Sequence, residues 1–393
     1  MAKLMGILCA AALVAACGGD DGMVEEAIGS GGAGGVGGGG SGGQSGASAG
    51  GAGGESGAGT GAAGGGGTGG SGGGAAGSAG SGESDAGMTT ADGGPMLGDA
   101  SVGEMPPIEA PVPDDCITDV TPGDHTYSCG GLTFLAVVPD VCVERACGLI
   151  FDVHGGTMSG KQMRDNTELH ELAPPHGYIV VHPSATPENT GGSWDLAMQP
   201  PIVGDFMDRM IAAFHVDMRR IHVTGFSQGS GMTFWFLCNK PELLASAAPI
   251  SGQSANAITA PGGGNCLEHI DSSWSPRVPI LFMSGTTDTA LLIEDARARV
   301  DGLVERLGLG AGEMIDGDAA YRRTRYTGDD GMVLEYLEHD YGGQAVLAGH
   351  CIPGGTDIPG APNNFGLNAT TCTTGDINIH WGQVALEWFL AHE

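Results

Sequence analysis

An α/β fold, with a mostly parallel central sheet covered by helices on both faces, is the class that the sequence predicts for its C-terminal part. Short apolar runs bounded by Gly, Pro or Asp recur from Leu132 onward, segments at helical spacing separate them, and ordinary composition begins at about Pro113. Before that point the chain cannot build a core. The 75 glycines among 393 residues are concentrated early, and between Ile28 and Gly94 the sequence is almost entirely Gly, Ala and Ser. Such residues bury too little apolar surface to offset the entropy of ordering a backbone. Residues 17–112 therefore read as a flexible tether, and 113–393 as one domain of roughly 280 residues.

Taken in order, the predicted strands are Leu132–Val138, Leu149–His154, Tyr178–His182, Arg220–Gly225, Ala247–Ser251, Pro279–Ser284 and a last one near Met332–Leu337. Each is rich in Val, Ile, Leu or Phe, as strands buried on both faces must be. Helices are predicted over Ile202–Phe214, where Val203, Phe206, Met207, Met210, Ile211 and Phe214 share a face, and over Leu292–Leu307, where Ala296, Val300, Leu303 and Val304 do. A closing helix is expected from about Asn378 to Ala391.

The first residues read as an export signal, 1–16, with Lys3 followed by an apolar run, Leu4 to Ala16, too short to span a bilayer. Val14-Ala15-Ala16-Cys17 then resembles the lipobox of bacterial lipoproteins, which implies lipidation at Cys17 and a membrane contact through that residue alone. A cleaved signal with an incidental Cys is the competing reading. A Gly-rich tether of about 90 residues has a reach on the order of 50–60 Å. The export reading agrees with the cysteines. Beyond Cys9 and Cys17 there are eight, an even number suited to about four disulfides in an oxidising compartment. Neighbour pairing, 116 with 129, 142 with 147, 238 with 266 and 351 with 372, is the simplest of about a hundred possibilities. No CxxC pair or His-Glu-x-x-His argues for a metal, and no cofactor is expected. With 15 Lys+Arg against 46 Asp+Glu, a formal charge of −31, nucleic-acid partners are disfavoured.

Gly225-Phe226-Ser227-Gln228-Gly229 fits G-x-S-x-G, a pattern that Ser41, Ser48 and Ser71 also match inside the Gly-rich stretch. Context separates them. Only Ser227 follows a strand, Arg220 to Thr224, and precedes an apolar helix including Met232–Leu237, which is the strand-turn-helix setting of a nucleophile in the α/β-hydrolase fold. The glycines two before and two after remove side chains that would collide at so tight a turn. The new helix aims its first N–H groups, that of Gln228 among them, at a developing oxyanion. A second donor is expected from Gly156 or Thr157, in the His154-Gly155-Gly156-Thr157 loop after the second strand. Asp288, turning off the carboxyl end of Pro279–Ser284, is the expected acid, since Ser, acid and His follow in that chain order. For the base, His350 lies in a loop of turn residues and His380 heads the last helix beside Trp381; both stay open, with His350 preferred.

Together, Asp152-Val153-His154-Gly155-Gly156, Ser193-Trp194-Asp195, Val216 to Ser227, Ala247 to Gly252, Ser284-Gly285-Thr286-Thr287-Asp288 and Gly349-His350-Cys351-Ile352-Pro353-Gly354 resemble the secreted esterase family that groups poly(3-hydroxybutyrate) depolymerases with feruloyl and acetyl-xylan esterases. The last segment resembles that family's G-H-x-x-P-G around its catalytic His, which implies His350 as the base. Cys351-Ile352 departs from the aromatic residue that many relatives carry before the Pro. The resemblance also implies that Trp194 lines an acyl pocket, a buried structural Trp being the other reading, and that the substrate is a polymeric or aryl ester. His154, placed with Trp194 at the substrate pocket, reads from its own setting as an orienting core residue rather than a base. A serine peptidase of the same fold, and a catalytically silent hydrolase fold serving as a surface binding module, are the competing readings.

Overall fold

The computed structural model of the protein describes residues 105–186, 191–252, 265–343, 348–354, 371–375 and 377–393. The predicted signal, Cys17 and nearly all of the tether lie outside them. Seven strands stand where the sequence places them, to within two residues at each end. They are β2 (Leu132–Val138), β3 (Gly148–Val153), β4 (Tyr178–Ser184), β5 (Ile221–Phe226), β6 (Ser246–Ile250), β7 (Ile280–Gly285) and β10 (Val333–His339). Three more were not foreseen: β1 (Gly123–Cys129) and the pair β8 (Glu313–Gly317) and β9 (Tyr321–Thr327).

All ten form one sheet in the order β1-β2-β4-β3-β5-β6-β7-β10-β9-β8. From β4 to β10 every pairing is parallel, and the two ends, β1-β2-β4 and β10-β9-β8, are antiparallel. The crossing of β3 and β4, followed by an unbroken run to β7, is the strand order of the α/β-hydrolase fold. Helices cover both faces. Against one lie α3 (Pro200–Phe214), α4 (Gln228–Asn239) and α6 (Ile293–Leu307), and against the other α1 (Gly160–Thr167), the single-turn α2 (Leu169–Leu172) and α7 (Trp381–Leu390). A further single turn, α5, spans Cys266–His269.

Aromatic packing centres the first layer, where Phe206 of α3 stacks on Phe134 of β2 at 3.7 Å between centroids and meets Phe151 of β3 at 6.4 Å. Trp381, Trp388 and Phe389 of α7 fill the second layer over Tyr178 and Val180. Fully burying one such large apolar side chain stabilises the fold by about 1.5–3 kcal/mol. The unforeseen helix α1 has a sequence reason. Ser159 and Gln162 form a capping box, the Ser159 hydroxyl accepting from Gln162 N while the Gln162 side chain accepts from Ser159 N. The four disulfides pair neighbours, Cys116–Cys129, Cys142–Cys147, Cys238–Cys266 and Cys351–Cys372. Among the described residues no helix is long and apolar enough to cross a membrane.

Candidate active site

Ser227 stands between β5 and α4 with φ 55° and ψ −112°, a backbone conformation that costs a side-chain-bearing residue of order 1–3 kcal/mol. The chain reaches it because nothing projects from its flanking glycines. A Cβ on Gly225 would lie 2.3 Å from Gly229 O, and one on Gly229 would lie 2.1 Å from Val153 O. The elbow is thus wedged against β3. Ser227 N donates to Ile250 O of β6 at 2.9 Å, which ties the strained residue to the neighbouring strand.

The predicted acid and base meet. His350 Nδ1 donates to Asp288 Oδ2 at 2.7 Å, both side chains being buried. Asp288 Oδ1 accepts from Ala290 N at 2.7 Å and Leu291 N at 2.8 Å, so the carboxylate is fixed at both oxygens. Their loops are laced together, with Gly349 N donating to Thr287 O at 3.1 Å and a bridge pairing Asp288 with Ala348. Cys351, next to the imidazole, is anchored by its disulfide to Cys372. The His350 ring packs at 4.7 Å on Phe226, the residue before Ser227, which brings the dyad to the elbow. Phe226 occupies the unspecified second position of G-x-S-x-G, so the pattern gave no signal for its role.

His380 stands elsewhere. Its Nδ1 accepts from Gln383 N at 3.4 Å as the cap of α7, and its Nε2 pairs with Glu168 at 3.1 Å. This corrects His380 as an alternative base, because Nδ1 caps the start of α7 and Nε2 faces Glu168 where α1 meets α2, while Asp288 is bonded to His350. Thr157 needs correction as well. Its N–H donates to Gly192 O at 2.8 Å, which leaves Gly156 and Gln228 as the candidate oxyanion donors. Those two are brought together: a Cβ on Gly156 would lie 3.0 Å from Gln228 Oε1, which accepts from Trp194 N at 2.9 Å.

Trp194 and His154 form the wall behind this loop. The Trp194 indole N–H donates to His154 O at 2.8 Å, and the rings stack at 4.7 Å. His154 is fully buried, Nδ1 donating to Gly155 O at 2.6 Å and Nε2 accepting from Ala185 N at 3.1 Å. Burial pulls this imidazole down to about 4. It is therefore neutral with a fixed tautomer, both ring nitrogens being held by backbone behind the Gly155-Gly156 turn. His339, at the end of β10, is likewise buried and held to about 4 by desolvation, opposed by the nearby Asp288. Among the described residues no cluster of three His, Cys, Asp or Glu side chains is arranged to hold a metal ion.

No protein-family model matches the chain. It is similar to acetylxylan esterase A of Aspergillus ficuum, 28% identical over 121 residues that cover 28% of this chain and 39% of that one. It is also similar to feruloyl esterase B of Piromyces equi, 25% identical over 163 residues covering 40% of this chain and 29% of the relative. The chain thus spans less than half the length of these curated relatives. Among solved structures, an acetyl xylan esterase from Aspergillus awamori aligns with a TM-score of 0.43 at 20% identity, over 53% of this chain and 87% of that one.

Proposed function

We propose that the chain is a serine carboxylic-ester hydrolase acting through an acyl-enzyme on Ser227. The observation that carries the reading is the doubly fixed Asp288 hydrogen-bonded to His350 Nδ1 beside a left-handed serine elbow. With Nδ1 engaged, His350 Nε2 takes the Ser227 proton as Oγ attacks the ester carbonyl, and Asp288 holds the tautomer and steadies the imidazolium. The oxyanion forms against the N–H groups of Gln228 and Gly156. Collapse breaks the ester bond, and the alkoxide departs with the proton from His350. A water molecule, deprotonated by the same imidazole, then releases the acid and restores Ser227.

The named relatives support acyl groups on plant polysaccharides, acetate or ferulate, as the substrates to try first. The eight cysteines paired within the domain support an exported enzyme. We place it at the cell surface, anchored through lipid on Cys17 and held off the membrane by the Gly-rich tether.

A panel of p-nitrophenyl acetate, methyl ferulate, hydroxybutyrate oligomers and a peptide amide tests the reading. Ester turnover is expected, with kcat lowered by at least about a thousandfold in Ser227→Ala and His350→Ala. His380→Ala is expected to keep the activity of its folded fraction. Equal rates in wild type and Ser227→Ala defeat the proposal, and preferential amide cleavage moves it to a peptidase.

A further inference from the structure

Arg299 of α6 is buried in a chain with 46 acidic residues, yet its Nη1 donates to a backbone carbonyl, Gly252 O, at 2.6 Å. The guanidinium sits 5.8 Å from the centroid of the Phe282 ring, and burial pulls it down to about 10. Taking a cation out of water costs several kcal/mol, a cost that an apolar side chain of the same volume avoids. Packing alone therefore gives no reason for an arginine here.

The carbonyl that it holds does. Gly252 belongs to the turn that leaves β6, where Ser251 takes φ 41°. That turn presses on the first turn of α4, since a Cβ on Gly252 would lie 1.6 Å from Ser230 Oγ. Ser230 N in turn donates to Ser227 O at 3.0 Å, while Ser227 N donates to Ile250 O, two residues before Gly252, at 2.9 Å. Both backbone polar groups of Ser227 thus lead to one turn. The hydroxyls at hand do not secure it, because Ser230 Oγ and Ser251 Oγ are buried without a hydrogen-bond partner among the described residues.

We propose that Arg299 is a positioning residue for the nucleophile: by fixing the Gly252 carbonyl it holds the Ser251–Gly252 turn against Ser230, and so sets where Ser227 Oγ stands relative to His350. This rests on the esterase reading above. Displacements of an ångström at a reacting group lower rates by up to about a hundredfold, so a residue that never touches substrate can govern kcat.

Arg299→Met keeps the stem and removes the cation. In the full chain its melting temperature is expected near that of wild type, the relieved desolvation of the cation offsetting the unpaired Gly252 carbonyl, its KM for p-nitrophenyl acetate within about twofold, and its kcat lowered roughly tenfold or more. Arg299→Lys, which can still donate to a carbonyl, is expected to recover part of kcat. Labelling of Ser227 by a fluorophosphonate, followed by intact mass, is expected to slow in parallel. Gly252→Ala shifts the same turn from its other side, and the double variant with Arg299→Met is expected to be no worse than the more impaired single. Should Arg299→Met not fold, the kcat and labelling rate of Gly252→Ala decide. Wild-type kcat and labelling in the variant overturn the inference and leave the esterase reading standing, as does a loss of kcat that only tracks a lower melting temperature. A wild type that neither hydrolyses esters nor reacts with the fluorophosphonate overturns both.

Discussion

Two glycines show how local geometry sets the cost of a single methyl group. A Cβ on Gly229 would meet Val153 O at 2.1 Å, a backbone atom in the middle of the sheet that cannot step aside. Gly302, inside α6, has nothing within 4 Å of such a Cβ. Gly229→Ala is therefore expected to lower stability by about 1–3 kcal/mol and to displace the elbow, with kcat falling further than the folded fraction. Gly302→Ala is expected to raise stability by about 0.5–1 kcal/mol, because a helix interior favours Ala over Gly. Urea denaturation of the two variants against wild type measures both, and a Gly229→Ala protein as stable and active as its parent contradicts the wedge described above.

At the scale of elements, the far edge of the sheet is held by charge. Glu335 and Glu338 are buried on β10, and β9 opposes them with Arg322, Arg323 and Arg325. Arg325 Nε donates to Glu335 Oε1 at 2.7 Å, Arg323 also binds Glu335, and Arg297 of α6 reaches Glu338 at 2.6 Å. Glu335→Ala removes the buried carboxylate that Arg323 and the half-exposed Arg325 share, and a loss of about 1–3 kcal/mol, lessened by solvent around Arg325, is expected, read as a lower urea midpoint. An unchanged midpoint is the contrary result. This edge also explains what the sequence kept hidden. The run Tyr321-Arg322-Arg323-Thr324-Arg325-Tyr326-Thr327 has no apolar alternation, so its strand character comes from carboxylates that only the folded sheet supplies. The inner strands from β2 to β7, mostly apolar and bounded by turn residues, carried their own signal. So did Ser227 and Asp288, whose surroundings are consecutive in the chain. The choice between His350 and His380, and between Gly156 and Thr157, depended on a bridge to Ala348, a cap on Gln383 and a carbonyl at Gly192, none of which has a sequence period.

For the molecule as a whole, buried neutral imidazoles set the response to acid. His154 and His339 are each held at about 4 by burial, against 6.5 for the free side chain. His222, hydrogen-bonded between Tyr178 and Ser246, is pushed well below 6.5 by the same cause. The unfolded chain therefore takes up these protons first. The stability that these three sites contribute is fully present above pH 6.5 and drains away as the pH falls toward 4, by roughly 3 kcal/mol for each of His154 and His339. Urea midpoints across that range are expected to fall steeply, and less so in His339→Gln; a flat profile contradicts the assignment. The lacing of the Asp288 loop to the segment carrying His350 has a different consequence, because none of its hydrogen bonds passes through Ser227. Truncating the serine leaves imidazole and carboxylate already in register. Ser227→Ala is accordingly suited to capture an uncleaved ester for crystallography, with the bound acyl chain identifying the natural substrate directly.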